Sequence, residues 1–122
     1  MLSASSLVAF AATTDLNRAR AFYEDVLGLE LAEQDDFACV FDANGTELRV
    51  TLVPEKADAG YTVLGWAVDD IDNEVRLLGE QGVEFLRFEG MEQDGFGIWR
   101  APNGTRVAWF RDPDGNTLSL SQ

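Results

Sequence analysis

The chain alternates short apolar runs with amphipathic segments, and the order of these segments repeats once. The run LVAFAAT (residues 7–13) predicts a strand, and Asp15 then caps a predicted helix that Gly28 ends. The apolar positions of this helix recur at helical spacing: Ala19, Phe22, Tyr23, Val26 and Leu27. LELAE and FACVF predict two further strands, and Asn44-Gly45 predicts a hairpin into the strand TELRVTLV. The first half therefore predicts the order β-α-β-β-β.

The same order begins again at residue 61. TVLGWAV predicts a strand, and Asp69 or Asp70 caps a helix whose apolar positions are Ile71, Val75 and Leu78. VEFLRF (residues 83–88) predicts the next strand, and the glycine-rich loop GMEQDGFG precedes the strand IWRA. A PNG turn leads into the strand RVAWF, and a DPDG turn leads into the last strand, NTLSLS. The second half thus predicts β-α-β-β-β with one hairpin-like insertion.

Two copies of a long repeat predict one domain, residues 1–122, in which two similar modules complete each other's cores. Module one covers about residues 5–55, the linker about 54–61, and module two about 61–122. Each module has one amphipathic helix and a sheet with one apolar face. We predict an α+β fold of two tandem βαβββ modules with curved mixed sheets. The helices should cover the outer face and leave the concave face free for a ligand.

Charge and cysteine content narrow the possible functions. The chain has 22 acidic and 9 basic side chains and no histidine, which gives a net charge of −13. This charge repels nucleic-acid phosphates and anionic membrane surfaces, and no run approaches the roughly 20 apolar residues of a membrane span. Cys39 is the only cysteine, so no internal disulfide can form within the chain. We expect a buried, inert thiol and a reducing, cytoplasmic location.

Three segments carry a family resemblance: DLNRARAFYEDVLGLEL, VDDIDNEVRLLGEQGVEF and FRDPDGNTLSL. Together they resemble the vicinal oxygen chelate superfamily, which includes glyoxalase I, bleomycin-resistance proteins, fosfomycin-resistance enzymes and extradiol dioxygenases. The resemblance extends over essentially the whole chain. It implies paired βαβββ modules, concave sheets and commonly a homodimer whose modules combine across the interface. It does not imply one activity, because a fold of this kind hosts several.

The resemblance also implies four metal-ligand positions on the strands, which the family usually fills with His, Gln or Glu. In this chain they match Val8, Thr51, Val63 and Ser119. Valine has no donor atom, and the hydroxyls of threonine and serine are weak ligands for the metals involved. Arg49 shares the face of Thr51 and would repel a cation. The sequence therefore predicts no metal site and no cofactor.

Strand alternation predicts which side chains face the cleft. Its polar points should be Arg49, Thr51 and Ser119, and Phe10 should be one of its apolar side chains. The opposite parity turns several apolar side chains toward the core or the helices: Leu7, Leu48, Val50, Leu52, Leu64, Trp66, Val68, Leu118 and Leu120. A largely apolar cleft with a few placed polar groups is typical of a small-molecule pocket.

Aromatic side chains on or near the strands of the second module are candidates to stack on a planar ligand. They are Phe96, Trp99 and Trp109. Because RVAWF is apolar on both faces, alternation leaves open whether Trp109 or Phe110 faces the cleft. Packing in the core or in a dimer interface is the alternative role for each aromatic ring. The predicted ligand-binding set is thus Phe10, Arg49, Thr51, Phe96, Trp99, Trp109 and Ser119.

We therefore expect a metal-free binding protein similar to the bleomycin-resistance branch of the family. In this interpretation a homodimer sequesters an aromatic or cationic small molecule without turnover, as in antibiotic resistance, and no residue is assigned a catalytic role. Two alternatives stay open. One is a glyoxalase-like lyase or dioxygenase with an atypical metal site. The other is a regulatory or interaction module whose cleft is filled by its own side chains.

Overall fold

A computed structural model describes all residues, 1–122, and the chain divides into two compact units, Met1–Ala57 and Asp58–Gln122. The first unit opens with a 3₁₀ turn, Leu2–Ala4. Its further elements are β1 (Val8–Thr13), α1 (Leu16–Arg20, continued by a π-helical turn over Ala21–Val26), β2 (Glu30–Gln34), β3 (Ala38–Ala43) and β4 (Thr46–Leu52). The strands form one mixed sheet in the order β1-β4-β3-β2, in which only β1 and β4 are parallel.

The second unit repeats this arrangement. Its elements are β5 (Thr62–Ala67), α2 (Ile71–Glu80), β6 (Trp99–Arg100), β7 (Arg106–Arg111) and β8 (Thr117–Ser121). The sheet order is β5-β8-β7-β6, again with one parallel pair, β5 and β8. The predicted α+β fold, with its repeated strand and helix order and its mixed sheets, is confirmed.

One face of each sheet is covered by the helix of the same unit. In the first unit α1 contacts β3 and β4, and Tyr23 packs on Phe41 with ring centroids 5.7 Å apart. In the second unit α2 contacts β7, and its predicted apolar positions Ile71, Val75 and Leu78 are all buried. In β4, β7 and β8 the buried residues alternate with more accessible ones, as a period of two requires, whereas the first four residues of β3 are all buried. Neither helix is long and apolar enough to span a membrane.

Both helices begin at an aspartate whose carboxylate accepts a backbone N–H three residues later, at Asp15 and at Asp70. The cap of α2 is therefore Asp70, which settles the choice between Asp69 and Asp70. Asp15 precedes the positive-φ Gly28 by 13 positions, whereas Asp70 precedes the equivalent Gly82 by 12. The first helix must hold one extra residue between fixed ends. A π-helical turn absorbs one residue in this way.

The predicted strand at residues 83–88 is wrong. Only Leu86 donates to the neighbouring strand, to the carbonyl of Trp109 at 2.8 Å. The side chain of Gln93 bonds to two backbone groups of this segment and to one beyond it: its Nε2 donates to the carbonyls of Leu86 and Gly97, and its Oε1 accepts the N–H of Phe88, each at 2.8 Å. A side-chain amide thus replaces the strand ladder here. The edge position of the sheet passes to β6, which is shorter than the predicted IWRA strand.

Two leucines predicted to be buried lie in solvent. Leu7 is 75% exposed and Leu52 is 41% exposed. Leu7 precedes the first residue of β1 and Leu52 is the last residue of β4, so both lie at strand ends, at the margin of the sheet. Leu118 and Leu120 in β8 are buried, as the alternation predicts.

Candidate functional site

The open face of the second sheet presents a row of aromatic and hydroxyl side chains. Strand pairing places Trp109 directly opposite Ser119, and Ser119 opposite Gly65. Paired residues point to the same side of a sheet, so Trp109 and Ser119 share this face. Phe110 is fully buried on the other face. The question that sequence alternation left open is therefore decided in favour of Trp109.

Three rings form a continuous aromatic row on this face. Trp99 and Trp109 lie with ring centroids 5.9 Å apart, and Phe88 meets Trp109 edge to face at 5.3 Å. Edge-to-face and tilted contacts at these distances are favourable and hold the rings in place. Trp99 and Trp109 stay half-buried, and Phe88 is 39% exposed. The row is thus supported by its own contacts and remains accessible.

A cavity of about 320 Å³ opens beside Trp109. Its lining combines apolar and aromatic side chains with four polar or charged ones. The lining residues are Asp58, Gly60, Tyr61, Thr62, Leu86, Phe88, Met91, Trp109, Arg111 and Thr117. The volume lies at the lower end of the range of small-molecule sites, and the composition is typical of them. All ten residues belong to the second unit.

Sequence reasoning missed most of this lining. Arg111 follows Trp109 by two positions on β7 and so shares its face, a signal that alternation contained. Phe88 and Met91 were hidden because the segment before β6 was predicted as a strand and a loop. Thr62 lies opposite Thr117, and a register shift leaves Val63 without a partner on β8. Thr62, and not the implied metal-ligand position Val63, therefore lines the cavity.

Gly65 allows the close approach of the Ser119 hydroxyl. A β-carbon at Gly65 would lie 2.7 Å from Ser119 Oγ, inside van der Waals contact. The hydroxyl of Ser119 therefore occupies the space that a side chain on β5 would fill. This arrangement keeps the centre of the open face shallow and polar, beside the indole of Trp109.

The other predicted site residues on the first sheet also share a face. Strand pairing places Phe10 opposite Arg49, and Arg49 opposite Val40, with Thr51 two residues further along β4. Phe10 is 61% exposed, and Arg49 forms an ion pair of 3.5 Å with Glu47. The structure thus brings Phe10, Arg49 and Thr51 together within the first unit.

Phe96 does not join Trp99 and Trp109. It is 66% exposed and lines a groove on the helix side of the second unit, together with Val75, Arg76 and Phe85. Asp94 holds it there, because Asp94 Oδ1 accepts the N–H of Phe96 at 2.9 Å. The predicted stacking role of Phe96 beside the two tryptophans is therefore not supported by its position.

The residues at the implied metal positions do not fit a metal ion. Val8 and Val63 offer no donor atom, and Thr51 and Ser119 offer neutral hydroxyls. No three His, Cys, Asp or Glu side chains lie close enough together to hold a metal. We therefore derive no chemistry through a bound metal.

Two side chains of the first unit, Asp35 and Cys39, have shifted pKa values, and neither is a catalytic candidate. The backbone N–H groups of Phe37 and Ala38 donate to Asp35 Oδ1 and hold the pKa of this carboxyl below its ordinary value. Burial raises the pKa of the Cys39 thiol. A buried thiol that favours its neutral form is a poor nucleophile.

Comparison with known proteins agrees with this architecture. The family model described as Glyoxalase/Bleomycin resistance protein/Dioxygenase superfamily matches residues 7–120. A glyoxalase/bleomycin resistance protein from Catenulispora acidiphila is similar at 26% identity and a TM-score of 0.70, over 95% of this chain and 96% of that one. A glyoxalase family protein from Bacillus anthracis aligns over 99% of this chain and 98% of its own, with 18% identity and a TM-score of 0.74. A lactoylglutathione lyase from Agrobacterium tumefaciens aligns over 98% and 94%, with 23% identity and a TM-score of 0.73.

The family match covers nearly all of the chain, from the residue before β1 to the penultimate residue of β8. The similar structures share the fold over the same length. The repeated β-α-β-β-β order, already visible in the hydrophobic pattern, is the architecture that these proteins have in common. The chain belongs to the glyoxalase/bleomycin resistance protein/dioxygenase superfamily.

Proposed function

We propose that this chain is a small-molecule binding protein of its superfamily, which holds an aromatic ligand on the open face of the second sheet without turning it over. The observation that carries the proposal is the aromatic row of Phe88, Trp109 and Trp99 beside the 320 Å³ cavity. Flat, preformed aromatic walls offer a planar ligand a large contact area at low entropic cost. Sequestration of this kind needs affinity only.

Residue chemistry favours binding over metal-dependent catalysis. The positions at which the family holds its metal carry Val8, Thr51, Val63 and Ser119. The guanidinium of Arg49, which forms an ion pair with Glu47, lies on the same face of β4 as Thr51. The similar protein from Agrobacterium tumefaciens is a lactoylglutathione lyase, and an enzyme of that kind with an atypical metal site is the competing function. Stoichiometric zinc, nickel, manganese or iron in natively purified protein would overturn our proposal.

Calorimetric titration tests the proposal directly. We expect saturable binding of at least one member of a panel of glycopeptide, quinone and peptide antibiotics, together with simple planar aromatics. Trp109→Leu should weaken this binding at least tenfold, because it removes the central ring of the row. Trp66→Phe is the matched control, since Trp66 pairs with Leu120 on the helix-facing side. Absence of saturable binding across the panel would refute the proposal.

The same titration also tests the alternative of a filled cleft. A module whose cleft is closed by its own side chains would bind nothing from the panel, and the open cavity beside Trp109 argues against this alternative in the second unit. We further propose that the protein is a homodimer, as is common for the fold. Sedimentation equilibrium distinguishes a dimer from the 13.4 kDa monomer.

A further inference from the structure

We infer that the ligand of the second-unit cavity is a planar aromatic molecule bearing an anionic group, such as a carboxylate, which Arg111 binds. The inference rests on the proposed function and specifies the ligand class of the same site. Two observations support it: most cationic side chains of the chain have a partner, and Arg111, which has none, lines the cavity.

Seven of the nine cationic side chains have a partner within the chain. They are Arg18, Arg20, Arg49, Lys56, Arg76, Arg87 and Arg106, each with a hydrogen bond or ion pair to a side chain or carbonyl. Only Arg100 and Arg111 have none. Both are solvent-exposed and free to bind a ligand, and only Arg111 of these two lines the cavity.

Arg111 is also placed to act on a ligand that stacks on Trp109. The two residues are separated by one position on β7 and share the open face. Thr117 is the direct partner of Arg111 on β8, and Thr62 pairs with Thr117, so two hydroxyl-bearing side chains line the cavity together with Arg111. A planar guanidinium donates two parallel hydrogen bonds to a carboxylate, and hydroxyls add further donors. An aromatic ring with one carboxylate satisfies the row and the arginine together.

The single acidic residue in the lining does not cancel this charge. Asp58 Oδ1 accepts the N–H of Gly60 at 3.0 Å, and Asp58 forms no ion pair with Arg111. The net charge of −13 repels anions at long range. At about 0.15 M ionic strength that repulsion is screened beyond about 8 Å, so the contact with Arg111 decides the preference.

Three probes with the same ring separate charge from stacking: 2-naphthoate, 2-naphthalenemethanol and 2-naphthylmethylammonium. We expect calorimetry at 0.15 M salt to give the tightest binding for naphthoate. Arg111→Gln should weaken naphthoate binding roughly five- to tenfold and leave the neutral alcohol unchanged. Arg111→Lys, which keeps the charge and loses the planar fork, should give an intermediate loss. Arg100→Gln is the matched control and should change neither.

The outcomes separate the two proposals. Equal or tighter binding of the alcohol or the ammonium probe, or an equal loss for all three probes in Arg111→Gln, would overturn the inference while leaving the binding function intact. A loss in Arg100→Gln as large as that in Arg111→Gln would also overturn it, because the effect would then be long-range. If neither these probes nor the antibiotic panel bind, both proposals fail.

Discussion

Replacement of Gln93 by alanine should loosen the segment that carries one wall of the cavity and lower the stability of the protein. The side chain of Gln93 makes three hydrogen bonds of 2.8 Å, two as donor to the carbonyls of Leu86 and Gly97 and one as acceptor from the N–H of Phe88. These bonds connect both ends of a segment that contains Phe88 and Met91, two of the residues that line the cavity. The guanidinium of Arg87 adds a second tie across the segment, because it donates to the carbonyls of Asp94 and Gly95.

The expected loss follows from these three bonds. Each hydrogen bond contributes about 1 kcal/mol net, and an orphaned buried group costs about 1–3 kcal/mol. In the variant the carbonyl of Gly97 stays without a donor because this residue is buried, whereas Phe88 is exposed and its N–H can donate to water. Gln93→Ala should therefore lower the free energy of unfolding by about 3 kcal/mol.

Urea denaturation followed by tryptophan fluorescence measures this loss, because Trp66, Trp99 and Trp109 all lie in the second unit. For a slope near 2 kcal/mol/M the midpoint should fall by roughly 1.5 M. Gln81→Ala is the control, since Gln81 is exposed and its side chain has no partner; it should change stability by less than about 0.5 kcal/mol. A Gln93→Ala midpoint that matches the control would refute the role of Gln93.

Three further predictions concern single positions. Gly97→Ala should cost at least about 1 kcal/mol more than Gly104→Ala in urea unfolding: both glycines have φ near +90°, but only a β-carbon at 97 meets a neighbour, at 3.0 Å. Gly65→Ala should cost about 1 kcal/mol alone and less when combined with Ser119→Ala, and a double-mutant cycle without coupling would contradict the close approach of Oγ. Asp35→Asn should be less stable than the wild type at neutral pH. Because the folded pKa of Asp35 is lowered, its contribution is present above about pH 4 and is lost as the pH falls further, so urea midpoints of the two proteins should converge in acid; a constant difference would contradict this.

The fold followed from the sequence because its signals are local and repeated. Aspartate caps, terminating glycines and alternating strands each depend on a few neighbouring residues. The predictions failed where a distant group competed for the backbone. Nothing within residues 83–88 indicates that the amide of Gln93 would replace the strand ladder. Nothing in the helical spacing of the first helix showed that its extra residue would form a π-helical turn.

The candidate site was predictable only in part, for the same reason. Alternation placed Ser119 on the open face. The spacing of two residues along β7 also indicates that Arg111 shares the face of Trp109. Alternation could not choose between Trp109 and Phe110, because burial depends on which face α2 covers. Phe96 was misplaced because a turn held by Asp94 directs it, and loop conformation is not periodic.

Spectroscopic probes divide between the two halves of the chain. The only thiol, Cys39, is fully buried in the first unit, whereas all three indoles are in the second. Thiol labelling during denaturation therefore follows the opening of one repeat, and intrinsic fluorescence follows the other, with no engineered probe. Coincident transitions would mean that the repeats unfold cooperatively, and separated ones that each half has a stability of its own.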